Sequence, residues 1–449
     1  MRRPILRRHR GRTPLPGRHP SDREILRLAV PALGALAAEP LYILTDTAVV
    51  GHLGTPQLGG LAVAGTVLTT AFTLFNFLSY GTTAAVARAA GAGRSEVTAR
   101  NAVQSLWLAV VIGLALALGG LLGAPLLVGL MGASAAVRPN ALLYLRIASL
   151  GMVPVLLGLV GVGYLRGLQD TVTPLRIALV ANAVNLVLEV VAIYGLGMGL
   201  AASAWATVIA QVGAAVVFCR HIARHARGTE VSWRPDPATL RALVVIGRDL
   251  FLRTGSLLAA LAVATAVASR LGTAPLGAHQ IAFQLWSFLA LSLDALDIAA
   301  QAMVGRLLGA GDADTARAAS RRMVEWGLLA GVFLGALVLM LRPVLVPLFS
   351  DDPAVVDLAR RVLWVVAGLQ PLNAVVFVLD GVLIGAGDLR FLAGAMVAAF
   401  AVFLPAPVLA GAVGGTLLWL WGAVTLLMLA RLAGVGWRFA GHAWALTGA

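Results

Sequence analysis

The stretch TAVVGHLGTPQLGG at residues 47–60 returns as TAVASRLGTAPLGA at 265–278, 218 positions later and without a gap. Carrying the same shift through residues 47–93 gives 16 identities in 47 positions. Among them Arg88, Gly91, Ala92 and Gly93 fall on Arg306, Gly309, Ala310 and Gly311. About one position in nine would match by chance in so Ala-, Leu- and Gly-rich a chain, so the match marks an internal duplication. Farther along, Gly163, Leu165, Gly167 and Asp170 pair with Gly381, Leu383, Gly385 and Asp388.

Composition says what is duplicated. The 449 residues are 59% hydrophobic and 12% charged, with a mean hydropathy of +0.90. Soluble chains carry roughly a quarter of charged residues, so this is an integral membrane protein. A spanning helix needs about 20 apolar residues, and twelve stretches qualify: 25–50, 58–87, 101–131, 139–165, 175–195, 199–219, 243–269, 276–305, 323–349, 355–384, 391–411 and 414–436. Six spans per repeat is an even number, so both repeats run in the same direction through the membrane. The expected fold is all-α, with twelve transmembrane helices in two parallel six-helix lobes, 25–219 and 243–436. A polar, Arg-rich loop at 220–242 separates them. A cleft between such lobes is the natural path for a solute.

Charge orients the spans. The chain has no Lys, and its 34 Arg give a formal charge of +14. In a soluble protein that excess would suggest nucleic acid; here it follows the positive-inside pattern instead. One side of the membrane takes 27 Arg, nine of them before residue 28, against six on the other side: Arg138, Arg146, Arg270, Arg342, Arg360 and Arg361. Arg253 is left at the inner end of span seven. The pattern predicts a multi-pass protein of the inner (plasma) membrane, with a basic arm at 1–24, the 220–242 loop and a tail at 437–449 all cytoplasmic. Membrane lipids are the expected surroundings, a small organic molecule the expected partner, and a monomer the expected state. One Cys, Cys219, and seven scattered His rule against a disulfide framework and leave little for a metal centre, so no cofactor or metal is expected.

Duplication supplies an internal control, because a residue needed only for the shared scaffold tends to occur in both copies. The acids within spans do not. Glu39 faces Leu257, Asp46 faces Ala264, Glu189 faces Pro407, Asp294 faces Asn76, Asp297 faces Ser79 and Asp380 faces Val162. A charge at the centre of a membrane helix costs about 2.5–3.5 kcal/mol on insertion scales, so these groups must face a wet cavity, find partners or be protonated. No Arg is expected at their depth, and a carboxyl held there without a cation takes up protons readily. Helical spacing groups them. Glu39 and Asp46 are two turns apart on span one, and Asn182, Asn185 and Glu189 form an i, i+3, i+7 stripe on span five. Asp294, Asp297 and Gln301 repeat that stripe on span eight, with His279, Gln280 and Gln284 farther out on the same helix. Pro31 and Pro40 interrupt span one beside its acids and mark it as a moving part.

These residues also carry a family resemblance. LAVPALGALAAEPLYILTDTAVVGHLG (28–54), RGLQDTVTPLR (166–176), NLVLE with GLGMGLAASAWATVIAQ (185–211) and LDGVLIGAGDLR (379–390) resemble the multidrug and toxic-compound extrusion (MATE) transporters, in particular their DinF-like branch. The resemblance implies a V-shaped pair of six-helix bundles that opens alternately to either side, exporting organic compounds, cationic or lipophilic, in exchange for protons. It implies that Asp46, Asn185 and Glu189 bind the coupling ion, with Glu39 and Asn182 beside them, and that span one bends at Pro31. Asp294, Asp297, Gln301, Asp380, His279, Gln280 and Gln284 would meet the substrate. Asp380 also matches the sodium-coupled branch, whose span-seven acid has no counterpart between 250 and 270. The alternatives are sodium coupling, export of organic anions or a lipid intermediate on the same fold, and, remotely, a membrane-embedded enzyme.

Overall fold

The computed structural model of the chain describes residues 20–412 and 415–448. The arm expected at 1–24 thus lies outside the described residues through position 19, and Asp22 to Glu24 form the first turn of a helix. The first lobe holds α1 (Asp22–Gly51), α2 (Thr55–Phe75), α3 (Phe77–Gly91), α4 (Ser95–Leu130), α5 (Arg138–Ser149), α6 (Met152–Gly167), α7 (Val172–Val190) and α8 (Leu200–Ala226). The second holds α9 (Pro237–Arg270), α10 (Thr273–Gly309), α11 (Ala313–Leu345), α12 (Pro353–Gly385), α13 (Leu389–Phe403), α14 (Pro405–Ala412) and α15 (Leu417–Ala440). There is no strand among the described residues.

Among the described residues eleven stretches are long and apolar enough to cross a bilayer, α2 with α3 and α13 with α14 each counting as one. Helices α5 and α6 meet at 51° and together make a twelfth. Pro154, in the first turn of α6, has no N–H to return to the carbonyl of Leu150, which favours a bend at that place. Pro31 and Pro40 both lie inside α1, which continues as one α-helix from Asp22 to Gly51. Each proline removes one backbone bond, and packing of α1 against α7 and α10 keeps the rest in register.

The hydrophobic cores show how the lobes meet. One core joins them, with Leu28, Val86 and Tyr164 of the first lobe packed among Met303, Leu383 and Trp444 of the second. Most of these lie toward the Arg-rich ends of their helices. Toward the opposite face each lobe keeps a core of its own: Val50, Leu61, Tyr144 and Leu200 in the first, Ala264, Trp286, Val362 and Trp421 in the second. The lobes therefore converge at the Arg-rich face and separate beyond it, which is a V.

Backbones touch at the convergence. A Cβ on Gly91 would stand 2.1 Å from the carbonyl oxygen of Arg306, and one on Gly309 would stand 2.1 Å from that of Arg88. The contact is reciprocal under the 218-residue shift, so the duplication itself makes the closed end. Carboxylates from the start of α1 cross the same seam: Asp22 accepts from Arg322 at 2.6 and 3.0 Å and from the Trp326 indole at 2.9 Å, and Glu24 accepts from Arg306 at 2.7 Å.

The connections are shorter than expected. The loop predicted at 220–242 shrinks to 227–236, because α8 continues to Ala226 and α9 starts at Pro237. Gln104 on α4 holds that loop by donating to Arg234 O at 2.9 Å and accepting from Asp236 N at 2.9 Å, and the Trp107 indole donates to Trp233 O at 2.8 Å. Asp236 in turn caps α9. The predicted tail at 437–449 is helical to Ala440, and its Trp444 is buried.

Gly91→Ala is expected to cost about 1–3 kcal/mol through overpacking at the seam, seen as a lower midpoint of thermal unfolding in detergent. Gly129→Ala, at a helical glycine with open space around it, should leave the midpoint unchanged or raise it. Equal midpoints for the two variants would show that the backbones do not meet at Gly91.

Candidate functional site

Two acidic clusters occupy the interior, and they are built in opposite ways. The first lies toward the face away from the arginines, where α1 and α7 end and α8 begins. Asp46 is one turn from the end of α1, Asn185 and Glu189 are in the last turns of α7, and Ser203 and Thr207 are in the first two turns of α8. Asp46 is 5% exposed and Glu189 1%. The Ser203 hydroxyl donates to Asp46 Oδ1 at 2.7 Å. Thr207 donates to Ser203 O at 3.0 Å, receives Asn185 Nδ2 at 3.1 Å and lies 2.8 Å from the Tyr42 hydroxyl. The Glu189 carboxyl stands beside that of Asp46 and the Ser203 hydroxyl. Neither Glu189 oxygen, nor Asn185 Oδ1, has a hydrogen-bond partner among the described residues.

Among the described residues neither carboxyl makes an ion pair with an arginine, and Tyr42 and Tyr144 stand close to the pair. Two carboxylates side by side repel each other, and a proton or a cation between them relieves that repulsion. Of the five residues grouped here from sequence, three converge. Asn182 turns aside to donate to Ala38 O at 3.0 Å, tying α7 to α1. Glu39 is exposed, about 10 Å along α1 from Asp46 at 1.5 Å per residue.

The second cluster sits under the cleft, at the base of the V. Arg253 of α9 and Arg431 of α15 both donate to Asp380 Oδ2 at 2.5 Å, with side chains 14%, 4% and 3% exposed respectively. This corrects the expectation that no Arg stands at the depth of the acids. Arg253 lies mid-helix in α9 and not at the inner end of its span, while Arg431 is well inside α15, over the ring of Phe377. Gln301 donates to Asp297 Oδ2 at 2.6 Å, and Asp297 Oδ1 has no partner among the described residues. Asp294 is half-buried and shares its surroundings with Arg253, Asp380 and Arg166, the last reaching over from the first lobe. Tyr80, also of the first lobe, stands among Asp294, Asp297, Arg253 and Arg166.

The outer residues of the span-eight group do not join this cluster. His279 packs in the second lobe's own core, with Nε2 3.2 Å from the Thr265 hydroxyl and its ring against Phe283 and Trp421. Gln280 and Gln284 are exposed on the first turns of α10. Among the described residues no three His, Cys, Asp or Glu side chains converge as a metal site requires.

Sequence reasoning missed Arg166, Arg253 and Arg431 because every Arg was read as a topology signal. The internal control does not single them out, because most Arg of the chain, these three included, face a different residue type in the other copy. At the 218-residue shift Arg166 faces Ile384, Arg253 faces Ala35 and Arg431 faces Gly213.

Comparison with known proteins agrees with this architecture. The MatE family profile matches residues 31–191 and 257–408, one block in each lobe. Protein DETOXIFICATION 44, chloroplastic, of Arabidopsis thaliana is 32% identical over 95% of this chain and 83% of its own length. DNA damage-inducible protein F of Escherichia coli is 32% identical over 92% of this chain and 90% of its own. A solved MOP superfamily transporter from Pyrococcus furiosus shares the fold, with a TM-score of 0.84 at 20% identity over 93% of this chain and 95% of that one. Matched in both halves of its duplication and aligned nearly end to end with these relatives, the chain belongs to the MatE family of membrane transporters.

Proposed function

We propose that this transporter is a proton-coupled antiporter that exports organic compounds by alternating access. The observation that carries the reading is the buried Asp46–Glu189 pair, which has a serine donor and two tyrosines around it but no cation supplied by the chain. A proton or metal ion has to stand there for the pair to persist in a dry interior, and one that comes and goes with the tilt of the lobes is a coupling ion. With the Arg-rich face cytoplasmic, as in the positive-inside pattern, both ends of the described chain are cytoplasmic and the V opens outward. Protons from outside would neutralise the pair while the substrate leaves by the same cleft. One charge through 100 mV is worth about 2.3 kcal/mol and a tenfold pH difference about 1.4, so one proton supports a substrate gradient of roughly a few hundredfold.

Sodium is the weaker candidate. Asp380, the position that resembles the sodium-coupled branch, already has two guanidiniums of the chain on one oxygen. A sodium ion there would have to displace both. For the substrate, cationic or lipophilic compounds suit the half-buried Asp294 and the partly unpartnered Asp297. Three arginines in the same cluster favour a second reading, export of organic anions.

In proteoliposomes, an imposed pH gradient is expected to drive transport of a fluorescent organic cation, and an equal sodium gradient is not. Asp46→Asn and Glu189→Gln should each reduce transport to the level of protein-free vesicles without changing the yield of inserted protein. Sodium-driven transport that survives both changes would defeat the ion assignment. Competition by a carboxylate-bearing dye, stronger than by the cation, would select the anion reading.

Asp380→Asn removes the partner of two buried guanidiniums and should cost about 3–5 kcal/mol, measured as a lower thermal midpoint or lost expression. Adding Arg431→Met to that change should restore part of the loss. A fully stable Asp380→Asn protein would show that the triad is not a structural ion pair.

A further inference from the structure

Arg88 and its repeat equivalent Arg306 each reach across the seam, but they grip different things. Arg306 of the second lobe holds a carboxylate of the first, Glu24. Arg88, in the last turn of α3, holds only backbone carbonyls among the described residues, and all of these belong to the second lobe. Its Nη1 donates to Ala386 O at 2.5 Å, Nη2 to Leu446 O at 3.0 Å and Gly448 O at 2.6 Å, and Nε to Gly448 O at 3.2 Å. Ala386 is the C-cap of α12. Leu446 and Gly448 belong to the segment that follows α15.

That segment has its own anchor. Trp444 is 1% exposed, stacks on Phe439 at 5.5 Å and donates its indole N–H to Phe439 O at 3.0 Å. Gly448 N donates to Leu308 O at 3.2 Å, which ties the segment to the end of α10. Under the 218-residue shift, residues 441–448 fall on 223–230, the end of α8 and the start of the loop between lobes. The same stretch of the repeat thus leads out of the first lobe and folds back under the second.

We propose that residues 441–448 are a strap that holds the transporter closed at the Arg-rich face, and that Arg88 is the positioning residue that fastens it. The proposal rests on the alternating-access reading, because it concerns the face that must open for the substrate to be loaded. A planar guanidinium can spread four bonds over three carbonyls at fixed angles, and an ammonium cannot. Opening the V at this end moves α3 away from α10 and α12, so all four bonds must break together. The strap therefore sets the balance between the closed and open forms at this face, apart from any effect on the ion site near the far end of α1.

The test places spin labels at Glu96→Cys and Asp314→Cys in a Cys219→Ser chain reconstituted in lipid nanodiscs. Both positions are exposed, stand at the Arg-rich ends of α4 and α11, and are equivalent under the repeat. Electron–electron double resonance then reads the distance across the seam. A chain ending at Ala440 and the Arg88→Gln variant, which keeps Trp444 seated, should each raise the long-distance fraction on the order of tenfold, as loss of one or more charge-assisted bonds would. Arg88→Lys should resemble Arg88→Gln, and the combined variant should shift less than the sum of the two.

Unchanged distances in both variants would overturn the proposal, even if thermal stability falls, and full additivity would overturn the pairing of Arg88 with the strap. If the parent chain opens with pH or substrate while the variants match it, the strap alone fails. If parent and variants all stay at the short distance, alternating access fails with it.

Discussion

A carboxylate inside a membrane protein needs positive charge close by, and most of what is distinctive in this chain follows from meeting that need in two ways. At the base of the V, Asp380 has Arg253 and Arg431 on a single oxygen, an arrangement complete within the chain. Near the other face, Asp46 and Glu189 have hydroxyls, phenols and the Asn185 amide for company and no arginine ion pair among the described residues. A self-contained triad suits a fixed point, and an incomplete pair suits a guest that comes and goes. The placement agrees: the triad sits where the lobes share a core, and the pair sits where the first lobe has a core to itself. Helix α1 joins the two regions without interruption, with Asp22 and Glu24 clamped to the second lobe at its start and Asp46 near its end.

Much of this could be read from the sequence, and the reasons are physical. The duplication survives because backbone approach at Gly91 and Gly309 tolerates nothing larger, so the residues around them kept their identity in both copies. Span number and orientation survive because lipid imposes length and the arginines impose direction. Asn185 and Glu189 share a helical stripe that spacing alone reveals, whereas joining them with Asp46 on another span is what the family resemblance implied. What failed was depth. A hydropathy window places a residue along a helix but not around it, so Arg253 and Arg431 looked like boundary charges when they point inward at Asp380. Range failed as well: His279 shares a stripe with Asp294, yet 15 residues of helix, about 22 Å, put it in a different core.

The balance of charge at the base of the cleft also changes how the cavity should be imagined. Sequence alone suggests an acid-lined bowl, but Arg166, Arg253 and Arg431 match Asp294, Asp297 and Asp380 in number.

The loop between the lobes is not a slack cord. Gln104 and Trp107 pin residues 233, 234 and 236 to α4, and Asp236 passes that hold directly to the first turn of α9. The second lobe's first helix is therefore hung from the first lobe at one end, like an oar in a rowlock. With 34 residues α9 is about 50 Å long, so a swing of about 10° at the pinned end carries its far tip roughly 9 Å. Small torsional adjustments around three side chains would in this way be geared up into a displacement as wide as a helix.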